Sequence, residues 1–258
     1  MDHLTVDGIH VEIDGAGPPV VLTHDALTHS EAWDAQVPAW STDHRVASWD
    51  RRGYGHSPRP TTQYSSIDDL AAVVRAVSDG PAALVGCSFG SLITLHCALQ
   101  HAELVSKLVL VGPILSGLPL SEHFLTRGGR SVPAPDAPDA EHIEYWSAVD
   151  PWFVAPSSPA ARERLRALLT ANPQNLRPPL ELERRPETPA TAQLGEIRVP
   201  TLIVVGELDI PDVHAAAGAL EVGIPGATRV VVTGSGHLPH LEVPEAFTGV
   251  VHEFLAKD

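Results

Sequence analysis

Six short runs rich in valine and leucine recur along this chain: VVLTH (20–24), RVASWD (45–50), AALVGC (82–87), KLVLVG (107–112), TLIVVG (201–206) and TRVVVTG (228–234). A strand with one wet face alternates apolar and polar residues, so runs this uniformly apolar suit strands covered on both faces. Helical patterns between them complete the signature of a mostly parallel sheet sandwiched by helices, an α/β fold. SIDDLAAVVRAVSD (66–79) carries serine and aspartate near its start and repeats Ile67, Leu70, Val73, Val74 and Val77 at helical spacing. The same reasoning predicts helices at 89–101, 212–221 and 244–256, and a leading hairpin from HLTVD (3–7) and IHVEID (9–14).

Residues 113–190 break this alternation. They hold no convincing strand and more than half of the chain's 24 prolines, including PAPDAP at 133–138. HIEYWSAVDPWFV (142–154) and SPAARERLRALLTA (158–171) read as helices within it. The expected organisation is a core of residues 1–112 and 191–258, with 113–190 inserted as a small helical cap.

A chain of 258 residues suffices for one substantial core. Its formal net charge of −15 argues against a nucleic-acid partner. No apolar run approaches the roughly 18 residues needed to span a bilayer, and the opening MDHLTVDGIHVEIDG lacks a basic and apolar leader, so no membrane partner and a cytoplasmic address are expected. Cys87 and Cys97 are too few for a disulfide framework and read as core residues.

One stretch carries chemistry. In LVGCSFGSLITLHC (84–97) a strand pattern becomes a helix pattern across Gly86-Cys87-Ser88-Phe89-Gly90, a G-x-S-x-G turn. A serine before a helix is ordinarily a cap. Placed on a tight corner at a strand's carboxyl end, its hydroxyl instead sits where helix N–H groups favour a developing oxyanion. Such a hydroxyl needs a base, and the base needs an orienting group. Asp209 follows the strand TLIVVG and His237 follows VVVTG, each at a strand's carboxyl end, so the chain order Ser88, Asp209, His237 matches a nucleophile, acid, base set. Taken singly, Asp209 also reads as a helix cap, with Asp212 one turn away as the other candidate acid, and His237 is one of 14 histidines.

These segments resemble the α/β-hydrolase family over nearly the whole chain. Besides GCSFG, Asp50-Arg51-Arg52-Gly53-Tyr54-Gly55-His56-Ser57 resembles the family's D-x-R-G-x-G-x-S loop, and PTLIVVGELD and GSGHLPHLEVPEAF are similar to the segments around its acid and histidine. The resemblance implies a mostly parallel eight-stranded sheet with helices on both faces, a cap after the sixth strand, and a serine nucleophile that forms an acyl-enzyme. Many members read His-Gly after the third strand, and the residue after that glycine donates an N–H to the oxyanion. Here the stretch is Thr23-His24-Asp25-Ala26, which makes Ala26 the expected donor, with Phe89 supplying the second N–H. Asp25 is expected to turn away from Ser88 and bond within its loop, or to meet a cation such as Arg52. The Asp50–Ser57 stretch reads as structural.

His237 and His240 lack a carboxylate that would complete a metal signature, and no G-x-G-x-x-G follows the first strand, so neither a metal nor a cofactor is expected. Leu27, Tyr145, Trp146 and Leu238 are the expected substrate contacts. The pairs Tyr145-Trp146 and Trp152-Phe153 read equally as core packing. The function expected is hydrolysis of a small carboxylic ester or lactone. A carbon–carbon bond hydrolase, a perhydrolase, a lyase, or a ligand-binding receptor with a retained triad would use the same residues.

Overall fold

The structure, a computed structural model, describes residues 2–126 and 128–257. Eight strands, β1 (Asp2–Val6), β2 (Ile9–Asp14), β3 (Pro19–Thr23), β4 (Arg45–Trp49), β5 (Ala82–Cys87), β6 (Val105–Val111), β7 (Thr201–Gly206) and β8 (Thr228–Val232), form one sheet in the order β1-β2-β4-β3-β5-β6-β7-β8. The β1–β2 and β2–β4 pairs are antiparallel and every other pair is parallel. Five of the six apolar runs are central strands, β3 to β7, whose alternate side chains go to opposite faces; the sixth, β8, is an edge strand with Thr228, Arg229 and Val231 exposed, because no further strand among the described residues pairs with it there. Val21, Leu84, Leu108 and Ile203 join one core group with Leu70 and Leu220. Val20, Val85, Val109 and Val204 join the other with Trp33, Trp40 and Phe247. Each such buried side chain contributes about 1.5–3 kcal/mol, which is why both faces of these strands must be apolar.

The first group is covered by α2 (Ser66–Val77), α3 (Phe89–Gln100) and α7 (Pro211–Gly223). The second is covered by α1 (Gln36–Trp40), by α6 (Pro159–Ala171), and, after the short α8 (Pro239–Glu242), by α9 (Pro244–Leu255). Ser65 caps α2, its hydroxyl accepting from Asp68 N at 3.2 Å, while acidic Asp68 and Asp69 stand in the first turn, where the dipole favours them.

Between β6 and β7 lie α4 (Glu122–Leu125), α5 (Asp139–Glu144) and α6, and no strand is found among the described residues there. One isolated bridge pairs Tyr64 with Glu183. The helix expected at 142–154 departs from the reading at both ends. It starts at Asp139, widens into a π stretch over Tyr145–Val149, and stops at Asp150 because Pro151 follows. Asp150 Oδ1 then accepts from Trp152 N at 2.9 Å and Phe153 N at 2.8 Å, turning the chain back towards the sheet. No helix among the described residues is long and apolar enough to cross a membrane.

Strand order decides where a site forms. The chain passes from β3 outward to β4, then crosses back over β3 to β5, so the loops leaving β3 and β5 diverge and leave a crevice at the carboxyl ends. Thr23 and Gly86 are register partners, which sets the His24–Ala26 loop beside Ser88.

Candidate active site

Ser88 occupies the corner between β5 and α3 with φ +54° and ψ −116°, a left-handed conformation that costs a non-glycine residue about 1–3 kcal/mol. The flanking glycines make the corner possible. A Cβ at Gly86 would run into the Gly90 carbonyl, and one at Gly90 into the carbonyls of Thr23 and His24. Ser88 N donates to Val111 O at 2.8 Å, and Ser91 Oγ donates to Ser88 O at 2.6 Å, which fixes the corner from both sides.

His237 reaches the corner from the loop after β8. Its Nε2 lies 2.7 Å from Ser88 Oγ and its Nδ1 2.8 Å from Asp209 Oδ2. Asp209 is held in turn by Ile210 N, which donates to Oδ1 at 2.7 Å. The three side chains are nearly enclosed, Ser88 3%, Asp209 6% and His237 8% exposed, so their mutual bonds are little screened by water. Asp212 is not part of this relay; its carboxylate accepts from Ser121 N and Ser121 Oγ, both at 2.6 Å.

Asp25 turns inward on its own loop. Oδ1 accepts from Leu27 N at 2.7 Å and Thr28 N at 3.0 Å, an Asx-type turn, and Thr28 Oγ1 donates to Oδ2. The cation at this loop is Arg51, not Arg52. Arg51 Nη2 donates to Asp25 O at 2.7 Å, whereas Arg52 pairs with Asp69 at 2.8 Å. Arg52 is drawn off because α2 offers it the buried carboxylate of Asp69, while Arg51 is buried between the rings of Tyr54 and Phe89. The Asp50–Ser57 loop props the Ala26 loop from behind: Arg51 N donates to His24 Nε2 at 3.1 Å, and Tyr54 Oη donates to Ala26 O at 3.0 Å. Burial, reinforced by Arg51, holds the His24 pKa well below the usual histidine value. His24 is therefore neutral, with its proton on Nδ1 donated to Asp25 O at 2.8 Å.

A cavity of about 330 Å³ opens over Ser88, Asp209 and His237. Ala26, Leu27, Trp146, Trp152 and Phe153 line it; Tyr145 and Leu238 do not. Tyr145 is buried edge-on beneath Trp146, ring centroids 5.0 Å apart, and Leu238 packs in the core with Phe247. Ile114, Phe124, Leu125, Val132 and Ile210 also line the cavity, and sequence reasoning did not single them out. The one sequence signal of the first four was their place in the 113–190 stretch, and that of Ile210 its place directly after Asp209.

His237 and His240 do not converge on a common point. His240 is buried, stacked on Trp33 with ring centroids 4.3 Å apart. Ligand-type side chains do gather in His3-His10-Glu12, His10-Asp50-His56 and Asp43-His44-His252, none of which lines the cavity. Both cysteines are free and buried, and burial pushes the Cys97 thiol up to about 12.

Comparison with known proteins agrees with this architecture. The chain is 28% identical over 260 residues to the pimeloyl-[acyl-carrier protein] methyl ester esterase of Vibrio atlanticus, covering 97% of this chain and 99% of that protein. Among solved structures, a thermophilic esterase from Thermogutta terrifontis superposes with a TM-score of 0.81 at 25% identity, covering 99% of this chain and 98% of that one. The esterase RhEst1 from Rhodococcus follows with a TM-score of 0.79 at 25% identity, covering 99% and 98%. The model of the alpha/beta hydrolase family matches residues 20–250, and the chain belongs to that family.

Proposed function

We propose that this protein hydrolyses a carboxylic ester or lactone through an acyl-enzyme on Ser88. The observation that carries the reading is the relay in which His237 stands 2.7 Å from Ser88 Oγ and 2.8 Å from Asp209 Oδ2 beneath an apolar cavity. Ser88 Oγ attacks the carbonyl carbon while its proton passes to His237 Nε2. Asp209 holds the imidazole in the tautomer that leaves Nε2 free and stabilises the imidazolium that forms. Phe89, the first residue of α3, offers an N–H that has no helical carbonyl behind it, and Ala26 N is the second donor to the oxyanion. His237 then protonates the leaving alcohol, and water, deprotonated by the same imidazole, releases the acid. The curated and structural relatives named as esterases support this class of substrate. Two buried free thiols fit a reducing compartment, and we assign the protein to the cytoplasm on that ground.

Labelling with a fluorophosphonate tests the reading directly. A single adduct is expected, on Ser88, and Ser88→Ala should lose the adduct and lower kcat for p-nitrophenyl acetate by on the order of 10⁴ or more. An adduct that persists in the alanine variant would overturn it.

A further inference from the structure

The cavity over Ser88 has a neighbour. A second cavity of about 330 Å³ lies between the chain leaving β6 and the start of α7, and the two share Ile114 and Phe124 as wall residues. Its walls are chiefly aliphatic, Leu115 and Leu118 on one side and Val213, Ala215 and Ala216 of α7 on the other. The polar side chains there are Ser121, Asp212 and His123. Ser121 and Asp212 are bonded to each other, and His123 packs edge-on against Trp152 with centroids 4.9 Å apart. Apolar side chains dominate the described residues of that lining, so hydrocarbon is the occupant it fits best.

The partition is anchored to the reacting centre. Ile114 N donates to Ser91 Oγ at 3.1 Å, and Ser91 Oγ donates to Ser88 O, so Ile114 keeps a fixed distance from the nucleophile. Phe124 sits on α4, whose cap residue Ser121 is tied to Asp212 of α7. Alone, the cavity over Ser88 is at the small end of the roughly 300–1,000 Å³ typical of small-molecule sites; joined past Ile114 and Phe124, the two reach the middle of that range. A third cavity, of about 320 Å³, also touches Ile114 but ends among Glu183, Arg184 and Arg185, where a hydrocarbon end would displace water from charged groups.

We propose that the substrate is an ester with a long unbranched aliphatic arm, whose far end passes Ile114 and Phe124 and lies in the second cavity against α7. This deepens the hydrolase reading and rests on it. Each methylene that enters the apolar cavity is worth about fourfold in binding, so selectivity for long arms is set by residues remote from Ser88.

Two series of esters test this: p-nitrophenyl esters of acetate to decanoate lengthen the acyl side, and methyl to octyl acetates, followed by pH-stat, lengthen the alcohol side. In one of the two, kcat/KM is expected to climb by about fourfold per methylene and then level off. Ala215→Trp, which fills the second cavity from a solvent-facing position of α7, should cut the ratio of longest to shortest substrate at least tenfold. Phe124→Ala should extend the climb to longer chains. The control Leu92→Trp fills the third cavity and should leave the ratio within about twofold. A flat profile in both series, or a ratio that falls with Leu92→Trp and not with Ala215→Trp, overturns the proposal while the hydrolase reading stands. Binding separates the two further: calorimetry with the Ser88→Ala protein of methyl octanoate where the acyl series climbs, or of octyl acetate where the alcohol series climbs, reads the arm without turnover, and affinity there that Ala215→Trp does not weaken also overturns it.

Discussion

A carboxylate buried beside a point where negative charge develops opposes the reaction unless its charge is already engaged. At Asp25 three donors engage it, Leu27 N, Thr28 N and Thr28 Oγ1, while Arg51 grips the neighbouring carbonyl. Two consequences separate by substitution. Asparagine keeps an acceptor for the two N–H groups and turns a donor towards Thr28 Oγ1, so Asp25→Asn is expected to retain kcat within a few-fold. Asp25→Ala leaves two buried N–H groups unpaired, each costing about 1–3 kcal/mol, and should lower both the urea midpoint and kcat as Ala26 drifts. Steady-state kinetics beside urea unfolding checks both, and a kcat for Asp25→Asn well above the parent would show the charge facing the oxyanion.

At the scale of elements, the loop between β8 and α9 delivers His237, and Glu242 of α8 braces it. Its carboxylate accepts from Gly236 N at 2.8 Å and Leu238 N at 3.1 Å, the residues on either side of His237, and from Ala155 N at 2.9 Å. Trp152 O accepts from His237 N at 3.1 Å, so the histidine loop and the 113–190 region are fastened to each other twice. Burial pushes the Glu242 pKa up while the three N–H donors pull it down. Removing the carboxylate leaves three donors without a partner. Glu242→Ala is therefore expected to lower kcat/KM for a short ester at least tenfold through a misplaced imidazole, with Glu242→Gln intermediate. An alanine variant with unchanged kcat/KM would show that the loop holds its shape without the brace.

Across the whole molecule, several histidines are buried in neutral form. Burial lowers the pKa of His24, His96 and His240, the last from 6.5 to about 4. Below pH 6.5 the unfolded chain binds protons at these positions that the folded chain refuses, so stability falls as pH drops from 6.5 towards 4, and His240 alone accounts for up to about 3 kcal/mol. The urea midpoint should therefore fall between pH 7.5 and 5, and His240→Phe, which keeps the ring against Trp33, should flatten that decline; an unchanged slope would place the proton uptake elsewhere. What could be read along the chain was whatever repeats locally. Apolar runs marked the strands because the two faces of each central strand are both covered, and the G-x-S-x-G turn announced its corner because only small residues let β5 and α3 meet there. Helix length at 142–154 escaped that reading because Pro151 acts against a pattern that otherwise continues. Asp209 could be read from its place at a strand's end, but other pairings between distant residues were decided by how elements pack: that Arg51 and not Arg52 reaches the Asp25 loop, and that Ile114 and Phe124 wall the cavity while Tyr145 and Leu238 do not. Spacing along a chain fixes which side of its own element a residue occupies, but which other side chains it faces depends on the packing of elements far apart in sequence.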